Sequence, residues 1–304
     1  MPKKLKRKII LLFGPTASGK SRLAIDIAKK YGGEILNADS MQIYKELQIL
    51  SARPFAKDYQ KIKHHLYGFQ NVNKDFSVGD WLKLVKKKIF NIKKRKKTPI
   101  LVGGTGLYFK GLIEGLVNIP NIPMNFRKKV RLLHKKLGPK EFFKILTKVD
   151  PLTKAKLNFS DTQRVIRAYE VKKFTQKSLY DWFKNTKPIY ESKYFYKVYI
   201  DFPREELIKK INNRAREMIK NGAIKEVKSF FRLNVPNTKI ANKAIGIKEI
   251  KEYIEKKINI QEVTEKISIK TRQYAKRQVT WRRGNMSDWK RLRPNDIEKF
   301  LKKI

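Results

Sequence analysis

The eight residues Gly14-Pro15-Thr16-Ala17-Ser18-Gly19-Lys20-Ser21 fit the pattern G-x-x-x-x-G-K-[ST] and stand between two segments of different periodicity. Before them, Lys8–Phe13 is a short apolar run closed by Gly and Pro, as a buried parallel strand would be. After them, Ser21–Tyr31 repeats Leu23, Ala24, Ile27 and Ala28 at helical spacing. A strand that turns through such a loop into a helix builds a phosphate site. Gly14 and Gly19 let backbone N–H groups converge on phosphate oxygens, Lys20 adds a point charge and Ser21 can bind Mg²⁺. The helix N-terminus contributes its partial positive charge. Both flanks argue against a chance match in a glycine-containing loop.

The rest of the chain extends this beginning. Glu34–Asn37 reads as a second strand and leads into Ala38-Asp39-Ser40-Met41-Gln42, which puts Asp39 at a strand's C-terminal edge, where open α/β sheets keep their ligands. Asp80–Ile92 reads as a helix, and Pro99–Val102 as a strand ending in Gly103-Gly104-Thr105-Gly106. From Asn118 to about Tyr194 the pattern changes to helices without clear strands, opened by Pro120 and Pro123. Tyr196–Phe202 is again strand-like and precedes a helix carrying Leu207, Ile211 and Met218. The expected fold class is α/β: a P-loop NTPase-like parallel sheet with helices on both faces, plus an inserted all-helical domain. The expected divisions are 1–119 for the first part of the core, 120–194 for the helical, RNA-binding insertion, and 195–304 for the second part with basic C-terminal helices.

Composition narrows the chemistry. With no Cys among 304 residues there is no disulfide framework, thiolate zinc site or thiol nucleophile. The three histidines, His64, His65 and His134, offer no metal-ligand spacing, and a hydrogen-bonded structural role is expected for the adjacent pair. The basic start (Lys3, Lys4, Lys6, Arg7, Lys8) meets only five apolar residues before Gly14, too few for a signal peptide's apolar region. No later stretch approaches the roughly 20 apolar residues of a membrane span. The expectation is a cytoplasmic chain without a membrane partner. The formal charge of +46 favours a polyanion such as RNA, although scattered lysines also arise from genome composition. Trp81, Trp182, Trp281 and Trp289 are expected as packing anchors.

A phosphate loop does not name the reaction, since kinases, NTPases and other transferases share it. Asp39 has three readings: a proton acceptor for an attacking nucleophile, a Mg²⁺ ligand, or a helix cap. At this point six separated segments resemble one family in order over nearly the whole chain. They are Gly14–Ser21, Asp39–Lys45, His64-His65-Leu66, Leu101–Tyr108, Asp161–Ala168 and Thr271–Gln278. Together they look like the tRNA dimethylallyltransferase family.

The resemblance implies transfer of a dimethylallyl group from dimethylallyl pyrophosphate to the exocyclic N6 of the adenosine 3′ of the anticodon (position 37), with Mg²⁺ and release of pyrophosphate. The loop would then hold a prenyl pyrophosphate rather than ATP. Asp39 would act as base, and Lys20, Thr16 and Arg214 as the remaining catalytic set. The residue-level alternative for Arg214 is a solvated helix-face cation. Segments matching the family's tRNA contacts are Asp39, Ser40, Met41 and Gln42; Thr105; Arg127; Gln163, Arg164, Val165, Ile166 and Arg167; and Lys243, Ala244, Ile245, Gly246, Ile247 and Lys248. The family usually has an aromatic residue after that glycine, whereas Ile247 stands here. The implied partners are the tRNA anticodon stem-loop and the prenyl donor, with the chain acting as a monomer. The rivals are a prenyltransferase for free adenine nucleotides, a small-molecule P-loop kinase, and a non-catalytic RNA-binding protein, which would be expected to have lost Lys20 or Asp39.

Overall fold

The computed structural model describes residues 8–303; Lys3, Lys4, Lys6 and Arg7 lie outside the described residues. The strands are β1 (Ile9–Phe13), β2 (Gly33–Asn37), β3 (His64–His65), β4 (Thr98–Gly103), β5 (Phe195–Ile200) and β6 (Lys290–Leu292). They form one sheet in the order β3-β2-β4-β1-β5-β6, with every neighbouring pair parallel. The helices are α1 (Lys20–Tyr31), α2 (Val78–Lys94), α3 (Gly106–Glu114), α4 (Met124–Val149), α5 (Thr162–Thr175), α6 (Leu179–Lys184), α7 (Arg204–Lys220), α8 (Ala223–Arg232), α9 (Ile247–Ile254), α10 (Ile260–Asn285) and α11 (Ile297–Lys303).

β1 is continuously apolar because both of its faces are covered. Ile10 and Leu12 join α1's Leu23, Ala24, Ile27 and Ala28 in one core cluster. The Phe13 ring meets the Phe109 ring edge-on at 5.7 Å and the Trp289 ring at 6.3 Å. The first connection carries the chain from β1 to β2, past the place that β4 later fills, and β5 then pairs on the other side of β1. The ends of β1, β4 and β2 therefore stand side by side at the point where the strand order reverses, the position at which parallel sheets open a crevice.

The sequence missed β3 and β6. Both are too short to carry a periodic signal, and both lie at sheet edges where pairing rather than apolarity defines them. His65 Nε2 meets Glu34 Oε2 at 2.6 Å and His64 Nδ1 donates to the Ile62 carbonyl, so the histidine pair is structural, as expected. Trp81 is buried, donates from its indole N–H to the Asn37 carbonyl at 3.0 Å and stacks on Tyr108.

Two compact units divide the chain. One joins the segment up to Gly111 with the segment from Tyr190 onward, and the other is Leu112–Ile189. The second unit thus begins before residue 120, where Ile119 already packs on its core. It ends before 194, where the Tyr190 ring meets Phe195 of β5. Its core is Val130, Phe142, Leu146, Val165, Ala168 and Val171 from α4 and α5. Within α4 the helix breaks at Gly138 (φ 75°, ψ 169°) before Pro139. No helix among the described residues is long and apolar enough to cross a membrane.

Candidate active site

The loop between β1 and α1 is held by groups far away in the chain. Gly19 caps α1 at φ 80°, a left-handed conformation that glycine adopts without a Cβ penalty. No side chain caps this helix end, so its first N–H groups remain for a ligand. The Thr16 N–H donates to Gln278 Oε1 at 2.8 Å, and the Thr16 hydroxyl accepts from Arg214 Nη1 at 3.1 Å. Thr16 therefore faces its neighbours with a committed amide and a hydroxyl tied to a cation. Lys20 Nζ donates to the Pro15 carbonyl at 3.2 Å. The Ser18 hydroxyl is buried without a protein partner among the described residues, an uncommon state for a buried polar atom beside an anion cradle.

Asp39 follows β2 and is anchored by its own backbone. Its N–H donates to Asn37 Oδ1 and its Oδ1 accepts the Met41 N–H, both at 2.9 Å. Oδ2 has no protein partner among the described residues. Thr105 secures the same turn: its N–H donates to the Ala38 carbonyl at 3.2 Å, and its Oγ1 accepts the Ser40 N–H at 2.9 Å. A side chain at Gly103 would place its Cβ 2.1 Å from the Ala38 carbonyl oxygen, so only glycine lets these two strand ends approach so closely.

A cavity of about 330 Å³ opens between these groups, lined by Thr16–Ser21 and Asp39–Gln42. Its apolar wall includes Leu50, Ile211, Ala215, Met218, Ile245 and Ile267. Tyr274 and Arg277 of α10 complete the polar side. Burial pushes Lys20 down to about 8; Asp39 opposes the shift, and the Arg214 charge adds to it. Burial also lowers Arg214. It raises the Tyr274 phenol well above its usual value, reinforced by the Asp39 charge, so Tyr274 is neutral. Two crowded cations beside one carboxylate leave the cavity short of negative charge, the condition for holding a polyanion. The solvated reading of Arg214 is excluded, since its side chain is committed to Thr16 inside the cavity.

The IPP transferase family model matches residues 42–285, and a tRNA dimethylallyltransferase of Pelagibacter ubique is 55% identical over 98% of this chain and 95% of its own length. The chain belongs to the IPP transferase family. A tRNA delta(2)-isopentenylpyrophosphate transferase from Staphylococcus epidermidis superposes with a TM-score of 0.68 at 30% identity, covering 97% of this chain and 96% of that one. A eukaryotic dimethylallyltransferase solved acting on tRNA superposes at 0.81 with 26% identity, covering 97% of this chain and 75% of that one.

For an IPP transferase of this sequence, the residues expected to meet tRNA fall into three sets. Asp39–Gln42 and Lys243–Ile245 line the cavity. Gln42 also ties down the cavity rim, its Nε2 donating to the Ser51 and Ala52 carbonyls at 3.1 Å. Arg127, Arg164 and Arg167 belong to the helical unit, where Arg127 and Arg167 each lie 3.4 Å from one oxygen of the buried Glu170. Arg164 is exposed and pairs with Asp161, the residue that caps α5. The third set is corrected. Val165 is fully buried in the helical core and Ile247 is buried beside Leu50 and Ile267, so neither side chain reaches a solvent-borne RNA. Gly246, at φ 107°, shapes the turn into α9.

Sequence reasoning gave Gln278 and Tyr274 no role, although both lie in the family-like segment Thr271–Gln278, and it did not assemble the apolar wall. Ile267, Thr271, Tyr274 and Gln278 recur at helical spacing and share one face of α10, a signal present in the sequence. That this face meets a loop 262 residues earlier is a tertiary fact.

Proposed function

We infer that this chain transfers the dimethylallyl group of dimethylallyl pyrophosphate to N6 of the adenosine 3′ of the anticodon, position 37, in tRNA. The observation that carries this reading is the single cavity in which the Asp39 carboxylate faces Lys20 and Arg214. In the step, a bond forms between N6 and the allylic carbon while the bond from that carbon to pyrophosphate breaks. The N6 proton passes to Asp39 Oδ2, the carboxylate oxygen without a protein partner among the described residues. Lys20, Arg214 and the α1 N-terminus stabilise the charge that gathers on the leaving pyrophosphate. The apolar wall shields the allyl group from water.

The loop fits a Mg²⁺–pyrophosphate pair. Ser21 lines the cavity with an exposed hydroxyl, and Mg²⁺ characteristically takes one or two protein ligands with phosphate oxygens and water. Bound there, Mg²⁺ would neutralise pyrophosphate charge. The base is extruded most cheaply from a single-stranded loop, which suits an anticodon. Arg127, Gln163, Arg164, Arg167, Lys243 and Lys248 are assigned to RNA phosphates and bases, and a tRNA substrate suits a cytoplasmic location; the proposed acting form is a monomer.

The test is transfer of labelled dimethylallyl from its pyrophosphate to an anticodon stem-loop with adenosine 3′ of the anticodon, run beside free AMP and an ATP-hydrolysis control. Label on the stem-loop alone is expected. Label on AMP would select a nucleotide-directed enzyme, and ATP turnover without transfer would indicate a kinase.

A further inference from the structure

Gln278 is buried, at 4% exposure, one turn beyond the cavity-lining Tyr274 on α10, and both ends of its amide are used. Its Oε1 accepts the Thr16 N–H at 2.8 Å, and its Nε2 donates to the Gly104 carbonyl at 3.0 Å. Room for this bridge exists only because residue 104 has no side chain: a Cβ there would come within 1.9 Å of Gln278 Nε2. One turn on, Trp281 fills the corresponding space over Gly106, with its indole nitrogen 2.0 Å from where a Cβ would sit. Thr105, between these two glycines, holds Ala38 and Ser40 on either side of Asp39. A continuous path of hydrogen bonds thus runs from Arg214 through Thr16, Gln278 and the Gly104–Thr105 backbone to the turn that presents Asp39.

We propose that Gln278 is a positioning residue for the transfer reaction: its amide locks the phosphate loop at a set distance from the turn carrying the base. The proposal rests on the prenyl-transfer reading above and deepens it. Bond formation at N6 and departure of pyrophosphate occur at opposite ends of one allylic carbon, so their spacing must be held within a fraction of an ångström. The loop and the Asp39 turn follow separate strands, and Gln278 joins them through Gly104 and Thr105 at the end of β4. The bridge also fixes the Thr16 side chain against Arg214, and so sets where that cation stands.

The test uses the full chain with Gln278→Met, close in shape and unable to bridge, and Gln278→Glu. Inorganic pyrophosphate binding is measured by calorimetry without any acceptor, and kcat, donor KM and stem-loop KM are measured separately. Gln278→Met should lose about tenfold in pyrophosphate affinity and about tenfold or more in kcat, with the stem-loop KM within about twofold and the circular dichroism spectrum unchanged. Gln278→Glu keeps the acceptor for Thr16 and regains a donor to Gly104 only when its carboxyl is protonated. Its activity relative to the unmodified chain should therefore rise as pH falls across the range where its circular dichroism spectrum matches that of the unmodified chain, an outcome that loss of fold does not produce; this variant also decides the matter if Gln278→Met fails to fold. A folded Gln278→Met with unchanged pyrophosphate affinity and kcat, or a loss confined to stem-loop KM, overturns the proposal. If the unmodified chain labels no RNA and Gln278→Met still loses pyrophosphate affinity, the prenyl-transfer reading fails while the hold on the phosphate loop stands.

Discussion

Lys20 and Asp39 share one cavity, and the Asp39 charge acts on Lys20, so their substitutions and the titration of Lys20 are expected to separate donor binding from chemistry. Lys20 is held near 8 in the free protein chiefly by burial, so it is charged below that pH and neutral above it. Only the ammonium attracts pyrophosphate, so kcat/KM for the donor should fall as pH rises through about 8, with saturating donor masking the effect by stabilising the charged form. A donor kcat/KM that stays level to well above pH 9 in initial-rate measurements would remove Lys20 as a pyrophosphate contact. Asp39 should act mainly on the chemical step. Asp39→Ala should lower kcat by roughly a hundredfold to ten-thousandfold, the usual span for a lost general base, while gel-shift affinity for the stem-loop changes little. Near-normal turnover would end its assignment as the base.

Among the elements, α7 and the end of β4 make separate contributions. α7 turns Ile211, Arg214, Ala215 and Met218 into the cavity from one face, with Arg214 flanked by apolar residues about one turn away on each side. An allyl group attached to a pyrophosphate on Arg214 lies against that wall. Met218→Ala should enlarge the wall and improve kcat/KM for geranyl pyrophosphate relative to dimethylallyl pyrophosphate by about tenfold, the scale on which a hydrophobic pocket discriminates by size. An unchanged ratio would mean that the chain extends elsewhere. β4 contributes through close packing: Gly103→Ala drives a methyl group into the Ala38 carbonyl and should destabilise the fold by about 1–3 kcal/mol. Urea unfolding would detect this as a lower midpoint at constant slope.

Across the whole molecule, the charge of +46 sets how strongly any polyanion is attracted, and the individual cations differ in how they are held. Arg164 is tethered only by a surface pair with Asp161, which costs little to break. Arg164→Ala should weaken stem-loop binding and reduce the slope of log affinity against log salt by about one, without altering donor affinity. An unchanged slope would remove this arginine from the interface. Arg127 and Arg167 are held differently, by a carboxylate buried within the helical unit, so they are presented in a fixed arrangement rather than sampled from solvent.

By itself the sequence determined the local machinery. The run Ile9–Phe13, the glycines at 14 and 19 and the α1 periodicity specify strand, loop and helix from neighbours alone, and Asp39 at a strand's end follows from the same reasoning. The parallel sheet and the helical second unit were legible for that reason too, because apolar period and turn residues are local signals. Arg214, Gln278 and Met218 were another matter. Each sits on an ordinary helix face, and its role exists only because that face meets a loop some two hundred residues away in the chain. Tertiary structure also withdrew Val165 and Ile247 from the RNA surface, since a motif's spacing does not say which of its side chains the core takes. Local propensity is written in neighbouring residues, whereas burial, desolvation of Lys20 and the bridge from Thr16 to Gly104 arise only when distant segments pack.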